Sequence, residues 1–597
     1  MSSELIASKE IDIVIRGGML VDGTGSARRM GDLAIAGDFI VAVGGNISAS
    51  DAKVIDARGA IVTPGWIDVH THLDGQVSWD DTLDPSFSNG VTTLVMGNCG
   101  VGFAPCIKGH EQALINMMEG VEDIPGTALA EGIPWGSWES FEEYLDFLDN
   151  RAHSMDLVTQ LPHSALRLYV MGERALNHEQ ASPEDIVRMR DLAESAARAG
   201  AAGISTSRTV FHRSINGTPI PGTFASIEEL IALAEGAAAG GASVFQAIPA
   251  SSAGEMAVYG GEQFTIDQEM DTFEKIAKAS GLPVTFTTIQ HPGEPDAWHR
   301  VLEISNQKNA DGVSLRPQVA SRPVGMVLGL STYHPFTNRR TYVEELADLP
   351  VAERAICMRD PETKRRILAD SDIERANSGG MQSLAKLFAY SAAALYVMPE
   401  GYDYEPTTEM TIGALAASQG KTSLEVIYDY LTEDEGQAFA MFVATNYVDG
   451  NLDVVREILT HPHTVLGLSD AGAHVNLICD ASSLSTQLLL WGGKRQRGES
   501  LPIEFIVEKQ TYQNAQLYGL RDRGTLEVGM RADINVIDLD ALKVALPVSH
   551  GDLPAGGFRL LQEVSGYRAT IKSGVITRQC DQDTGARPGR LVRGQRS

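Results

Sequence analysis

The stretch "TPGWIDVHTHLDG", residues 63–75, ends a short apolar run with two histidines one residue apart. Side chains alternate along a β-strand, so positions i and i+2 point to the same side. If residues 66–69 form a strand, His70 and His72 converge on one point, as two ligands of a metal ion do. A surface histidine pair at a strand end has the same spacing. The rest of the chain must therefore decide between the two interpretations.

The sequence around this stretch predicts an α/β protein with one β domain and one inserted domain. Residues 1–64 and 520–597 have short strand patterns separated by turns, and we expect them to form a small β-sandwich together. Residues 65–519 alternate helix and strand patterns, which predicts a (β/α)8 TIM barrel, with insertions at 105–160 and 325–410 over its active face. A doubly wound open sheet is the alternative, but no glycine-rich phosphate loop follows a predicted strand.

Composition and charge narrow the class of protein. Hydrophobic residues make up 43% of the 597 residues and charged residues 21%, as in ordinary soluble globular proteins. The formal net charge of −30 argues against nucleic acid or an anionic membrane as a partner and favours a small-molecule ligand. We find no signal-peptide pattern, no apolar run of membrane-spanning length and no disulfide framework, so we expect a cytoplasmic protein. The sequence leaves open whether it forms a homo-oligomer.

Polar residues at the predicted strand ends indicate a metal site. Active sites of TIM barrels lie at the C-terminal ends of the strands. Imidazole, thiolate and carboxylate groups suit zinc. Taken alone, a cysteine there is more often a buried structural residue, and an aspartate can be a helix N-cap. The occurrence of many polar residues at one rim of the predicted barrel favours metal binding or catalysis. These residues are His70, His72, Cys99, Gln246, Gln290, His291, Gln318, Asp470 and His474.

Several blocks of the sequence resemble a known family. PGWIDVHTH and the late LSDAG are similar to the amidohydrolase superfamily, and GVTTLVMGNCG, PHSALRLYVMG and YGLRDRGTLEVGMRADINVID resemble the N-acyl-D-amino-acid deacylase (D-aminoacylase) family along nearly the whole chain. The resemblance implies a zinc-dependent hydrolase of a non-peptide C–N amide bond, with an N-acyl amino acid as substrate. It further implies that His70 and His72 bind the metal, that Cys99 is a thiolate ligand and that Asp470 is a ligand or the general base. One zinc is expected, and a second stays open.

The chain departs from this family at two expected ligands. Relatives have histidine ligands at the ends of the fifth and sixth barrel strands. At the end of the predicted fifth strand this chain has Gln246 instead. At the end of the predicted sixth strand, His291 lies about two residues beyond the expected ligand position. A glutamine carbonyl is a poor zinc ligand beside imidazole. Three outcomes are open. The metal is held by four residues alone, namely His70, His72, Cys99 and Asp470. Alternatively, His291 replaces a missing ligand, or metal binding is weak and the chemistry has changed. We favour the first.

The predicted substrate site follows the strand pattern AGISTS. An arginine at this place can bind a carboxylate of the substrate through two parallel hydrogen bonds. The predicted substrate-binding residues are Arg208, His212, Gln246, Gln290 and His474.

Two other functions compete with the hydrolysis of an N-acyl amino acid: a hydrolase of a cyclic amide, lactone or carbamate, and a non-catalytic binding protein with a degraded metal site. Cyclic-amide hydrolases of this superfamily usually bridge two metals with a carboxylated lysine, and no lysine stands at a predicted strand end, which counts against that branch.

Overall fold

The computed structural model describes residues 10–48, 50–251, 264–373 and 384–594. Its central element is an eight-stranded parallel sheet in which each strand pairs with the next one along the chain. The first and last strands meet through a parallel bridge between Thr71 and Ala471, which closes the sheet at the histidine pair. The predicted TIM barrel is thereby confirmed. Its strands are Trp66–Asp68, Val91–Met96, Asp156–Pro162, Gly203–Ser207, Val244–Ile248, Val284–Thr287, Leu315–Val319 and Val465–Leu466.

Helices follow the barrel strands, and the helix Pro183–Ala199 shows how residue types set their ends. Ser182 and Asp185 form a capping box with Pro183 in the first turn, and Gly200 ends that helix. Within the described ranges, the structure contains no helix long and apolar enough to cross a membrane. The principal barrel helices are Glu111–Glu122, Gly126–Gly132, Phe141–Asp149, His163–Met171, Pro183–Ala199, Ile227–Gly240, Ile266–Ser280, Ala297–Ala310, Asp453–Thr460, Ser483–Leu489 and Ile503–Glu508.

The two ends of the chain combine into one β domain, as predicted. Strand Ile61–Pro64 pairs antiparallel with Ile534–Ile537, so residues about 470 positions apart are neighbours in one nine-stranded sheet. Apolar side chains from both ends share a single core. The division of the chain at residues 64 and 519 stays a prediction. The remaining strands of this sheet are Ile13–Leu20, Arg29–Ala36, Phe39–Val43, Lys53–Asp56, Tyr567–Lys572, Val575–Gln579 and Gln582–Asp583.

Most of the predicted insertion at 325–410 is a separate small unit, although its residues 374–383 lie outside the described ones. Strands Val324–Gly329, Tyr396–Val397 and Phe439–Thr445 form an antiparallel sheet with its own hydrophobic core. The Tyr333 hydroxyl donates to Asp123 at 3.0 Å, which ties this unit to the end of a helix at the barrel rim. Its helices are Val351–Arg359, Pro361–Ala369, Leu384–Tyr390, Ile412–Gln419 and Ser423–Leu431.

A buried ionic cluster joins the barrel to the β domain. Lys572 of the β domain lies 2.9 Å from Asp156, the first residue of the third barrel strand, and 2.8 Å from Asp533. Arg523 donates to the same Asp156 carboxylate at 2.7 Å. All four side chains are buried, so each charge depends on the others for the interactions that water no longer supplies.

Removing Lys572 from this cluster is expected to destabilise the protein. Lys572→Met keeps the length of the side chain but leaves the Asp533 charge buried without its closest cation, so we expect the free energy of unfolding to fall by about 3–5 kcal/mol. Lys543, exposed on another strand of the β domain, provides the control Lys543→Met. Denaturant unfolding of both variants measures the difference. Equal stability of the two variants would show that the cluster contributes nothing.

Candidate metal centre

The structure brings three of the predicted ligands together at the barrel mouth. His70 and His72, which directly follow the first strand, are both buried. Their Nε2 atoms lie 3.3 and 3.6 Å from the Cys99 Sγ atom. Within the described ranges, these three residues form the one group of this kind whose ligand atoms all lie within 4.8 Å of one another. The Oδ1 atom of Asp470 lies 3.4 Å from His70 Nε2, so the fourth predicted residue is adjacent to the group.

These separations fit a zinc ion. With Zn–N bonds of about 2.05 Å and Zn–S bonds of about 2.3 Å, tetrahedral geometry places neighbouring nitrogen and sulfur atoms about 3.5 Å apart, and nitrogen and oxygen atoms about 3.4 Å apart. The observed distances of 3.3, 3.6 and 3.4 Å match these spacings. The donor set of two imidazoles, one thiol and one carboxyl is also the set that zinc prefers. The residues present therefore fit the predicted metal.

The second ring nitrogen of each histidine faces an oxygen atom. His70 Nδ1 lies 2.5 Å from the Gln318 Oε1 atom, and His72 Nδ1 lies 3.4 Å from Glu122 Oε1. Histidines that bind metal usually donate this second N–H to such an acceptor, which fixes the tautomer and the ring orientation. With Nδ1 protonated, both Nε2 lone pairs are free to bind an ion beside Cys99.

Glu122 is a residue of this site that our strand-end criterion does not find, because it ends a helix. One signal is present in the sequence. Glu122 follows Leu114, Ile115 and Met118 at helical spacing, so an acid continues the apolar face of the helix Glu111–Glu122. A buried acid requires a partner, and this pattern therefore marks a candidate for function.

A tight turn after the second barrel strand directs Cys99 into the site. Gly97 has φ +80°, and a Cβ atom there would lie 2.3 Å from the Gln160 carbonyl oxygen, so only glycine fits. The Cys99 amide donates to Gln246 Oε1 at 3.1 Å. Gln246 thus holds the turn that carries the thiol, while its Nε2 atom has no hydrogen-bond partner in the described part of the chain. Its predicted role in substrate binding stays a prediction.

Burial sets the protonation of the site. It lowers the pKa of His70 and of His474 to about 4 and that of His72 well below its usual value, so all three imidazoles are neutral, as metal binding requires. Burial raises the pKa of Asp470 to about 7. Burial and neighbouring carboxylates raise the pKa of the Cys99 thiol well above its usual value. A bound cation reverses the shifts of the acids because it stabilises their charged forms.

Two predicted substrate residues lie after the fourth barrel strand. Arg208 donates through Nε to both Glu269 oxygens, at 2.9 and 3.1 Å, so a substrate carboxylate would share the guanidinium with a buried internal partner. His212 Nδ1 lies 3.0 Å from Ser207 Oγ. Burial lowers the pKa of His212, so this imidazole is neutral as well. Substrate binding by both residues stays a prediction.

The residues that follow the sixth barrel strand are engaged elsewhere. The Gln290 side chain donates to Asp449 at 2.8 Å and accepts from the Val448 amide at 3.2 Å, so it binds a neighbouring loop. His291 Nδ1 accepts from the Gly293 amide at 3.0 Å, and this histidine lies outside the ligand group of the described residues. The structure adds no support for His291 as a replacement metal ligand, and this role stays a prediction. The role of Gln290 in substrate binding also stays a prediction.

Cys99→Ser is expected to weaken metal binding more than it weakens the fold. Serine has a similar size but exchanges a soft thiolate for a hydroxyl, which zinc binds less well. Zinc content after dialysis and the thermal unfolding midpoint of the metal-free protein, measured on the same samples, separate the two effects. Unchanged zinc content with a lower midpoint would show that Cys99 only packs the core.

A closed TIM barrel with nitrogen, sulfur and oxygen ligands at its C-terminal rim is the arrangement of metal-dependent barrel enzymes. The model of the Amidohydrolase family matches residues 53–578, and the chain therefore belongs to this family. The resemblance stated from the sequence is confirmed.

Individual relatives agree with this assignment. The chain is 36% identical to the D-aminoacylase of Alcaligenes xylosoxydans xylosoxydans over 201 residues, which span 33% of this chain and 38% of that relative. It is 26% identical to the N-acyl-D-glutamate deacylase of the same organism, over 89% of this chain and 88% of the relative. A structure of N-acyl-D-glutamate deacylase from Bordetella bronchiseptica, complexed with zinc and a phosphonate inhibitor, has the same fold: the TM-score is 0.62 at 22% identity, over 98% of this chain and 100% of that chain.

Proposed function

We propose that this protein is a zinc-dependent hydrolase of the amide bond of N-acyl amino acids, with Asp470 as the group that accepts and returns the proton. The observation that carries the proposal is the convergence of His70, His72 and Cys99, with Asp470 Oδ1 3.4 Å from His70. The names of the relatives, D-aminoacylase and N-acyl-D-glutamate deacylase, favour substrates of the D series.

The chain supplies a proton acceptor in a position that a substrate can reach. Zinc, when bound, lowers the pKa of a water molecule to about 7 and polarises a carbonyl group. The Asp470 side chain is 21% exposed, whereas His70 beside it is 2% exposed. Burial raises the pKa of the Asp470 carboxyl group to about 7, and a bound cation would lower it again, so that the carboxylate is ionised near neutral pH and can accept a proton and return it to the leaving nitrogen. Asp470 therefore has the access and the basicity that the reaction requires.

The backbone around Asp470 is held in an uncommon conformation. Leu468 and Asp470 have φ angles of +60° and +48°, which residues other than glycine rarely adopt. The Asp470 amide donates to the His70 carbonyl at 3.1 Å, and the Ser469 hydroxyl donates to buried Asp68 at 2.6 Å. These bonds offset the local strain and keep the carboxyl group beside His70.

A substrate panel tests the proposed function. Zinc-loaded protein is incubated with N-acyl D- and L-amino acids of acidic, aliphatic and aromatic type, with aryl amides, and with cyclic amides, lactones and carbamates. We expect hydrolysis of N-acyl amino acids, with the D series preferred. Turnover confined to the cyclic amides, lactones or carbamates would replace the proposal with the second type of hydrolase. Binding without turnover of any compound would favour a binding protein.

We also propose a cytoplasmic location. All five cysteines are free thiols in the structure, as in proteins of reducing compartments. Fractionation of cells that express the protein, with the activity assayed in each fraction, tests this point. Activity outside the cytoplasmic fraction would contradict it.

A further inference from the structure

Glu122 contacts two histidines of the site. It ends the helix Glu111–Glu122, and its side chain is 2% exposed. Its Oε1 atom lies 3.4 Å from His72 Nδ1, and its Oε2 atom lies 3.6 Å from His474 Nε2. The His474 amide also donates to the Glu122 carbonyl. One residue therefore joins a predicted metal ligand to the loop that follows the last barrel strand.

The atoms that face each other in this contact have no other partner. In the described part of the chain, neither Glu122 Oε1 nor His72 Nδ1 forms a hydrogen bond with any group, and the two atoms lie 3.4 Å apart as a close ionic contact. Burying a carboxylate without a partner is costly. The contact is favourable when Nδ1 of His72 carries its hydrogen, which leaves the Nε2 lone pair directed towards Cys99.

We propose that Glu122 is the positioning residue of the metal site: it holds the His72 ring with Nε2 towards the ion and, through His474, holds the loop that carries Asp470. The inference rests on the proposed metal dependence. The His72 imidazole would be polarised by an ion held at Nε2, which would make Nδ1–H a stronger donor, so ion binding and the contact with Glu122 would strengthen each other.

The two histidine ligands have different supporting groups. His70 Nδ1 faces the neutral amide oxygen of Gln318, whereas His72 Nδ1 faces a carboxyl group. Burial and the nearby Asp470 and Asp74 carboxylates raise the pKa of Glu122 well above its usual value, and a bound cation would lower it again. Once ionised, a carboxylate raises the basicity of an imidazole more than an amide does, because it carries a full negative charge. Replacing Glu122 by glutamine gives His72 the same kind of support that His70 has. The metal affinity should fall without loss of any ligand.

Cobalt titration of the metal-free protein tests this inference. Co2+ takes the place of zinc and gives a visible absorption spectrum that reports its ligands. For Glu122→Gln we expect a cobalt dissociation constant raised by about 10–100-fold. We expect the same spectrum at saturation and an unchanged thermal midpoint of the metal-free protein. Asp123→Asn is the matched control, because Asp123 is the next residue, is buried and accepts from Tyr333 at 3.0 Å. This control should bind cobalt like the wild type.

Three results would overturn the inference. Equal cobalt affinity of Glu122→Gln and the wild type would show that the carboxylate does not support His72. A different spectrum at saturation would show that Glu122 coordinates the ion itself. Failure of the wild type to bind cobalt or zinc would overturn the proposed function together with this inference, whereas the first two results leave the proposed function intact.

Discussion

Replacing Asp470 by asparagine is expected to reduce the turnover number about 10²–10⁴-fold while zinc content stays near that of the wild type. Asparagine keeps the shape of the side chain and still accepts a hydrogen bond, but it cannot take up a proton at neutral pH. The amide oxygen can take the position of Asp470 Oδ1, which lies 3.4 Å from His70 Nε2, and can still face a bound ion. The loss should therefore fall on proton transfer.

The pH profile identifies the cause of this loss. Burial raises the pKa of Asp470 to about 7, and a bound cation lowers it again, so the acidic limb of the wild-type profile should lie at or below pH 7. Activity should rise with pH through this limb as Asp470 loses its proton, and Asp470→Asn should lack the limb. A variant with most of its turnover would place the base elsewhere, with His474 the next candidate. Simultaneous loss of zinc would make Asp470 primarily a ligand.

Replacing both His70 and His72 by alanine is expected to abolish zinc binding and activity while the protein stays folded. The change removes both nitrogen ligands of the group. The barrel closure at this place uses main-chain atoms, since the His72 amide donates to the Ala471 carbonyl at 2.8 Å and the Asp470 amide donates to the His70 carbonyl at 3.1 Å. These bonds do not depend on the imidazoles. Zinc content, turnover and circular dichroism of the double variant check the three parts of the prediction.

The chain contains a matched control for this experiment. His461 and His463 have the same spacing, and their ring centroids lie 5.6 Å apart, against 5.4 Å for His70 and His72. In the part of the chain that the structure describes, they belong to no group of three metal-binding side chains. Replacing His461 and His463 by alanine should leave zinc content and turnover unchanged. Full zinc content in the variant without His70 and His72 would exclude the assigned site.

The ligands that follow barrel strands could be predicted from the sequence. Alternation along a strand places His70 and His72 on one side, and the barrel rule places Cys99 and Asp470 at the same rim. These positions follow from local sequence patterns and from the general rule that active sites of parallel barrels lie at the C-terminal ends of the strands. The structure adds the distances of 3.3 to 3.6 Å between their ligand atoms.

The partners of these residues could not be predicted, because they depend on contacts between distant segments. Arg208 has the position of a substrate clamp in the sequence, but Glu269, 61 residues later, takes up its Nε. Gln246 stands at an expected ligand position and instead accepts from the Cys99 amide, 147 residues earlier. Glu122 reaches His72 only because its helix packs over the rim. Side-chain pairing of this kind is fixed by tertiary packing, which no local pattern encodes.

Zinc reconstitution of the purified wild-type protein tests the central claim most directly. The metal is removed with a chelator, zinc is added back in steps, and bound zinc and hydrolysis of the best N-acyl amino acid are measured on the same samples. We expect no activity in the metal-free protein and full activity at one bound zinc per chain. Full activity of protein shown to be free of metal would contradict the claim.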